Sequence, residues 1–272
     1  MDGTVQNKLE ELHAVLYDML KDIDDVCQKH RIQYSLAFGS VLGAVRHQGI
    51  IPWDDDLDVL MMRDQYEQFL DVAKDEFNND KYTFQKELSD NWKMPFSKIR
   101  LNGTAFIEAD FEAPSVNQGV FIDIFPIDNL SDNRLIQNIQ FAFSRLLLRK
   151  CMIMRGAPAS KNLLSLNTIS RLLPTAFLSK MCKINQSSTQ RVHCYYLGNL
   201  SRSKTDYPRR CFNSLVRHKF GPSSNPIPAG WDEYLKILYG DYMTPPPEDK
   251  RFTAVHAKVF DLHKSYLYYV NK

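Results

Sequence analysis

The stretch FGSVLGAVRHQGIIPWDDDLDVLM, from Phe38 to Met61, places three glycines and four aspartates in 24 mostly apolar residues. Asp54, Asp55, Asp56 and Asp58 fall within five positions, between segments composed like a buried core. Like charges this close repel, and taking them out of water is costly unless a cation or hydrogen-bond donors compensate. If residues 52–60 are extended, Asp54, Asp56 and Asp58 share one face, while Leu57 and Val59 point to the other. An acidic face on such a strand suits a hard divalent cation, for which carboxylate oxygens are the natural ligands.

Working outward, apolar residues at Val5, Leu9, Leu12, Leu16, Met19, Ile23 and Val26 recur at steps of three and four, which predicts an amphipathic helix from Val5 to His30. Residues 32–38 predict a short strand ending at Gly39-Ser40, and Val41 to Arg46 a helix opening there. Leu57 to Met61 predicts a second strand and Arg63 to Phe77 a helix. Trp92 to Arg100, Thr104 to Glu108 and Gly119 to Phe125 (GVFIDIF) predict further strands. Asp123 is the single charge in GVFIDIF and can bring another carboxylate from a neighbouring strand. After Leu130 the pattern turns helical, over Leu135 to Met154 and again within Leu163 to Ser187. Gly221 to Gly230 is turn-rich, and TPPPED (Thr244 to Asp249) breaks any helix. The expected fold class is α+β. A mixed-sheet core with flanking helices spans 1–130, and a mainly helical region spans 131–272.

Composition limits the function classes. At 44% apolar and 24% charged residues, the chain has the balance of a soluble globular protein. A net charge of +2 gives no reason to expect nucleic acid, although basic residues cluster at Arg145, Arg149, Lys150 and Arg155 and again at Arg202, Lys204, Arg209 and Arg210. Five scattered cysteines without a CxxC pair imply reduced thiols, not a disulfide framework or a zinc site. The start, MDGTVQNKLEELH, lacks a secretory signal pattern. The most apolar window, FAFSRLLLRKCMIM, is too short and too charged to span a bilayer. The expected location is the cytoplasm, with at most peripheral contact at the inner face of the membrane.

The acidic cluster fits few other sites. A calcium loop counted from Asp54 needs glycine at its sixth position and glutamate at its twelfth, where this chain has Val59 and Gln65. A DxD glycosyltransferase needs nucleotide-binding units ahead of the acidic pair, and only 53 residues precede Asp54. No GK[ST] forms a Walker A loop, and the glycine spacing does not fit GxGxxG. A solvated acidic turn is disfavoured by Trp53, Leu57 and Val59. A metal-dependent phosphoryl or nucleotidyl transfer site remains, with Gly39 and Ser40 offering backbone N–H groups to a phosphate.

A strand ending in Gly-Ser, then a helix, then DxD, then a third aspartate on a later strand resembles the nucleotidyltransferase fold. More closely, GSVLGAVRHQGIIPWDDDLDV resembles the LicD family of phosphocholine transferases, whose relatives include fukutin and fukutin-related protein. The likeness extends to KIRLNGTAFIE (Lys98 to Glu108), GVFIDIFPID (Gly119 to Asp128) and IPAGWDEYLKILYGDYMTPPPEDKR (Ile227 to Arg251). Where family members often carry a histidine before the glycine of the third-strand motif, this chain has Asn117-Gln118.

The resemblance implies transfer of a phospho-alcohol, such as phosphocholine, from a CDP-linked donor to a hydroxyl of a bacterial surface glycan, free or lipid-linked. It matches Asp56 and Asp58 to the metal-binding pair, Asp54 to the additional acidic position and Asp123 to the third-strand carboxylate. The implied cofactor is Mg²⁺, with Mn²⁺ as the alternative. Asp123 or Asp54 is the candidate acceptor of the hydroxyl proton. Arg46 and His47 on the second helix, and Lys98 and Arg100 alternating on a strand, are candidate phosphate contacts. Trp53 is a candidate stacking surface for cytosine or choline, and Arg251 and His256 fall in the C-terminal motif. The basic helix around Arg145, Arg149 and Lys150 suits an anionic membrane surface, but a core helix with its basic residues outward is the favoured reading. Transfer of a nucleoside monophosphate and a catalytically silent glycan-binding relative are the competing functions.

Overall fold

The computed structural model describes residues 3–108, 113, 115–157, 164–184, 189–196, 201–251 and 257–270. The long first helix, α1 (Gly3–His30), forms as its periodicity predicts, with Leu9, Leu12, Leu16, Met19 and Ile23 all buried. Its outer side is tied to the body of the protein by charge: Lys29 and His30 both reach Glu76, and Asp22 accepts from Lys81 and Tyr82.

The core is a mixed sheet. Strands β1 (Ser35–Leu36), β2 (Asp58–Met62), β3 (Tyr82–Gln85), β4 (Ser97–Leu101) and β6 (Phe121–Leu130) lie in the order β1-β2-β6-β4-β3. Strands β2 and β6 are parallel, and the other pairs in that series are antiparallel. The central strand β6 is ten residues long, and its last residues pair with β7 (Arg191–His193), which pairs in turn with β8 (Asp206–Pro208). The sheet begun before residue 130 is thus completed by residues well beyond it. Strand β5 (Ala105–Ile107) lies apart and pairs with β11 (Val259–Asp261).

Helix α2 (Phe38–His47) follows β1 at once, and α3 (Arg63–Glu76) follows β2. Three helices follow where the pattern turned helical: α4 (Arg134–Met154), α5 (Leu164–Leu172) and α6 (Thr175–Cys182). The remainder holds the hairpin β9 (Leu215–Phe220) with β10 (Ser223–Pro228), then α7 (Trp231–Tyr239), α8 (Glu248–Arg251), β11 and α9 (Leu267–Val270). The turn-rich run from Gly221 is therefore largely a strand. Its two prolines are tolerated because β10 is hydrogen-bonded along one edge alone, to β9. The strand predicted from Trp92 begins only at Ser97. The Trp92 indole N–H donates to the Phe96 carbonyl at 2.7 Å and folds 92–96 into a turn.

Asp123 and Asp128 are five positions apart on β6 and so face opposite sides of the sheet. Asp128 is fully buried and receives both Nε (2.7 Å) and Nη2 (2.9 Å) of Arg63, the first residue of α3. Tyr196 donates to the same carboxylate. Burial alone would raise the Asp128 pKa, but the Arg63 guanidinium overrides it and holds the group at about 2. Because this pKa is depressed in the folded state, the pair stabilises the fold above about pH 4 and loses that contribution as the pH falls toward the folded value. Asp128→Asn removes the bidentate acceptor of Arg63, which keeps Glu67 and Glu87 at 3.2 and 3.3 Å, and should destabilise the protein by roughly 2–3 kcal/mol. Urea unfolding at neutral and acidic pH checks this: the gap between wild type and variant should be wide at neutral pH and close on acidification.

Candidate functional site

The alternation expected for the acidic stretch is present. Asp54, Asp56 and Asp58 are half-buried, whereas Asp55, Leu57 and Val59 are buried on the other side. Asp55 accepts the Ala257 backbone N–H at 3.2 Å, so the inward aspartate ties the C-terminal segment to this stretch. His13 donates from Nε2 to the Asp54 carbonyl at 2.7 Å, and burial lowers its pKa and favours the neutral ring. These contacts fix the backbone and leave the three remaining carboxylates on one side.

The turn from β1 into α2 positions the glycine and serine. Phe38 takes a positive φ of 42°, and its N–H donates to the Tyr234 hydroxyl. A β-carbon on Gly39 would lie 3.1 Å from Asp54 Oδ2, so the Asp54 carboxylate rests against the first turn of α2, where a negative charge is favoured. The Ser40 hydroxyl is buried and accepts the Asp58 N–H at 3.0 Å. Here the Gly39-Ser40 turn cradles aspartates: Ser40 fixes the start of β2, and Gly39 leaves room for Asp54.

Asp58 and Asp123 are register partners on the parallel strands β2 and β6. Adjacent strands lie about 4.8 Å apart, so the two carboxylates stand side by side on one face. Burial raises the Asp58 pKa well above the carboxylate range, and the charges of Asp56, Asp123 and Asp54 raise it further, with Lys98 opposing. Asp123 is raised mainly by burial, with Lys98 opposing and Glu108 adding to the rise. Asp123 Oδ1 lies 3.1 Å from Lys98 Nζ yet receives no well-directed hydrogen bond.

Lys98 and Arg100 share a face of β4, and each is 2% exposed. Lys98 Nζ sits between Asp123 Oδ1 and Glu108 Oε2 (3.2 Å) and 3.2 Å from the centre of the Phe121 ring. Arg100 donates to Gln85 Oε1 and the Gly119 carbonyl, and its guanidinium lies 4.5 Å from the same ring. Burial would raise Glu108, but the two cations prevail and lower its pKa. Lys98 thus sits beside the aspartate pair, while Arg100 lies one step further back and braces Glu108 at 3.8 Å. Glu108 ends a motif noticed in the sequence, but it carried no pattern marking it as a partner of both cations.

Arg46 stands at the last turn of α2, away from Gly39 and Ser40. It donates to the Tyr242 carbonyl and to His47 Nε2, and it faces Trp53, whose ring Arg251 also approaches at 4.9 Å. Burial lowers the His47 pKa, and the two arginines lower it further. Tyr239, at the end of α7, links this basic rim to the acidic group. Burial raises its hydroxyl pKa, as do Asp58, Asp54 and Asp56, and Arg46 opposes them. Sequence reasoning missed Tyr239, since a tyrosine on an amphipathic helix is ordinarily core. His256 lies outside the described residues.

Among the described residues, no three His, Cys, Asp or Glu side chains form a ready-made metal cage. The carboxylates nevertheless fit a divalent cation. They repel one another, and Asp123 keeps a buried oxygen without a directed donor. Mg²⁺ is ordinarily held by one or two carboxylates, completed by water and substrate phosphate.

The mixed sheet thus places paired aspartates on adjacent parallel strands beside a Gly-Ser turn, the order of features that the sequence resemblance implied. Residues 31–146 match the family described as "LicD/FKTN/FKRP, nucleotidyltransferase domain", the family that the sequence motifs resemble. The chain is 28% identical over 253 residues to the lipopolysaccharide cholinephosphotransferase LicD of Haemophilus influenzae, which covers 89% of this chain and 93% of that protein. Uncharacterized proteins of Rickettsia typhi and Rickettsia prowazekii share shorter stretches, 46% identical over 57 residues and 51% over 49. These cover 21% and 18% of this chain, and 18% of each of those proteins.

The repulsion at the aspartate pair has a measurable cost. Since the folded pKa values are raised, the penalty is absent below the unfolded carboxylate pKa, grows as the pH rises from there to the folded ones, and is full above them. In chelator at neutral pH, Asp58→Asn should stabilise the protein by on the order of 1 kcal/mol, with the gain vanishing in acid. A thermal melt series across pH reads this out, and a neutral-pH loss of stability would contradict it.

Proposed function

We propose that this protein transfers a phospho-alcohol, phosphocholine first among them, from a CDP-linked donor to a hydroxyl of a bacterial surface glycan. The observation that carries the reading is the side-by-side placement of Asp58 and Asp123, balanced by Lys98. The Haemophilus influenzae relative, named a lipopolysaccharide cholinephosphotransferase, supports the choice of phosphocholine and of a glycan acceptor.

In this reading Asp58 and Asp123 hold Mg²⁺ or Mn²⁺, with Asp54 and Asp56 beside them. The ion, when bound, neutralises phosphate charge and orients the donor. Arg46 and Arg251, on the rim around Trp53, attract the diphosphate. Tyr239, whose hydroxyl keeps its proton, offers a hydrogen bond across the mouth. The acceptor hydroxyl attacks the phosphorus that bears the alcohol, its proton passes to a carboxylate of the cluster, and CMP leaves. Such a transition state asks mainly for positioning and charge stabilisation, which these residues supply.

The product separates this reaction from nucleotidyl transfer. CDP-choline incubated with glycan acceptor and Mg²⁺ should yield CMP and a phosphocholine-bearing glycan. Chelator should stop the reaction, and Asp58→Asn or Asp123→Asn should slow it at least about 100-fold. Pyrophosphate released from CTP, with CDP-choline untouched, would instead identify a nucleotidyltransferase. Full activity in either variant would overturn the assignment of the aspartate pair.

A further inference from the structure

The chain's charge is unevenly divided. From Asn133 to Thr205 there are twelve lysines and arginines and not one aspartate or glutamate, while the rest of the chain carries ten more acids than bases. The near-neutral total conceals this. The same segment holds a cluster of exposed apolar side chains: Leu135 is 73% exposed and Leu172 77%, with Ile139, Met154, Ile169, Phe177 and Ile184 also exposed.

The helices gather these side chains. Gln140 Nε2 donates to the Cys182 carbonyl, while Phe143 packs edge-on against Phe177 at 5.8 Å and Thr175 reaches the Met154 sulfur. Helix α6 therefore runs antiparallel to α4, which sets Ile184 near Ile139 and Phe177 near the middle of α4. Leu172 projects at the α5–α6 corner, beside exposed Arg171 and two residues before Pro174. Exposed Lys180 lies on α6 between Phe177 and Ile184.

The basic residues first noticed in the sequence are not the outward ones. Arg149 donates to Asn167, and Lys150 donates to the carbonyls of Ser170, Arg171 and Leu173, closing the end of α5. They brace α4 against α5, as a core helix requires. The outward surface is built instead from α5, α6 and the exposed ends of α4 at Leu135, Ile139 and Met154. Among the described residues no helix is long and apolar enough to cross a membrane.

We propose that the α4–α6 face docks the protein on an anionic lipid bilayer, its apolar side chains entering the headgroup boundary and its arginines and lysines meeting lipid phosphates. Charge complementarity selects this occupant, since the segment has no acidic residue to oppose a negative surface. The exposed leucines, isoleucines and phenylalanine separate it from a nucleic-acid groove, where bases stack on aromatic rings and aliphatic side chains contribute little. Lipid binding of this kind combines buried apolar area with electrostatic attraction worth about fivefold in affinity per basic residue near the surface, and salt screens it.

Vesicle flotation of the full-length protein tests the proposal independently of its catalytic activity. It should float with vesicles containing about a third phosphatidylglycerol and remain behind with pure phosphatidylcholine, and high salt should weaken the association. Leu172→Glu combined with Phe177→Glu should reduce binding at least about tenfold with the thermal midpoint retained. Val216→Glu, exposed on β9 outside this face, should leave binding unchanged. Failure to float with anionic vesicles would overturn the proposal, as would flotation unaffected by the double substitution. It would equally fall if single-stranded RNA bound the protein and vesicles did not, or if the double substitution split a dimer that shows no affinity for vesicles.

Discussion

Asp58 and Asp123 stand side by side because the hydrogen-bonded ladder between β2 and β6 puts them there, and neither can retreat without breaking central sheet pairing. Much of the surrounding structure answers that constraint. Ser40 holds the Asp58 backbone, Lys98 sits against Asp123, Glu108 and Arg100 hold Lys98 in turn, and Phe121 floors both cations. The crowding shows at Asp58, whose pKa is raised by burial and by its acidic neighbours. Four aspartates crowd one short stretch, three facing the site, with Lys98 as the nearby cation that lowers the Asp58 pKa. Crowding of this kind costs stability, and perturbed carboxylates commonly gather where proteins act on substrates.

A second charge system shows the opposite solution. Arg63 and Asp128 form a closed, bidentate pair in which burial is outweighed by geometry, and Tyr196 supplies a further donor. The remaining guanidinium nitrogen, Nη1, turns to Glu67 and Glu87. The contrast lies within one strand: β6 presents an aspartate of raised pKa to one side and one of lowered pKa to the other.

The legible parts of the fold were those encoded by local periodicity. Helix α1 was visible in its three-four spacing, β2 in its alternation, and the pairing of Asp123 with the acidic stretch in the single charge within GVFIDIF. The less legible parts depended on contacts distant in sequence. Trp92 turns the chain through a hydrogen bond to Phe96, which composition does not announce. Strand β10 carries two prolines that a local reading assigns to a turn, and it is a strand because β9 lies beside it. At the site, the carboxylates and both β4 cations could be named from spacing. Glu108 and Tyr239 gained their significance only from the neighbours the fold gave them. Asp128, in the same motif as Asp123, went unremarked because its partner Arg63 lies 65 positions earlier.

The odd spacing of Asp123 and Asp128 also has a consequence for how the chain assembles. A slip of one residue in the pairing of β6 would turn every side chain to the wrong side of the sheet. Asp123 would then be turned into the layer that receives Arg63, and Asp128 would be turned to the other face, away from its guanidinium. Two mismatches of opposite kind would penalise the same error. The strand therefore penalises errors in its own register through the charges it carries on its two sides.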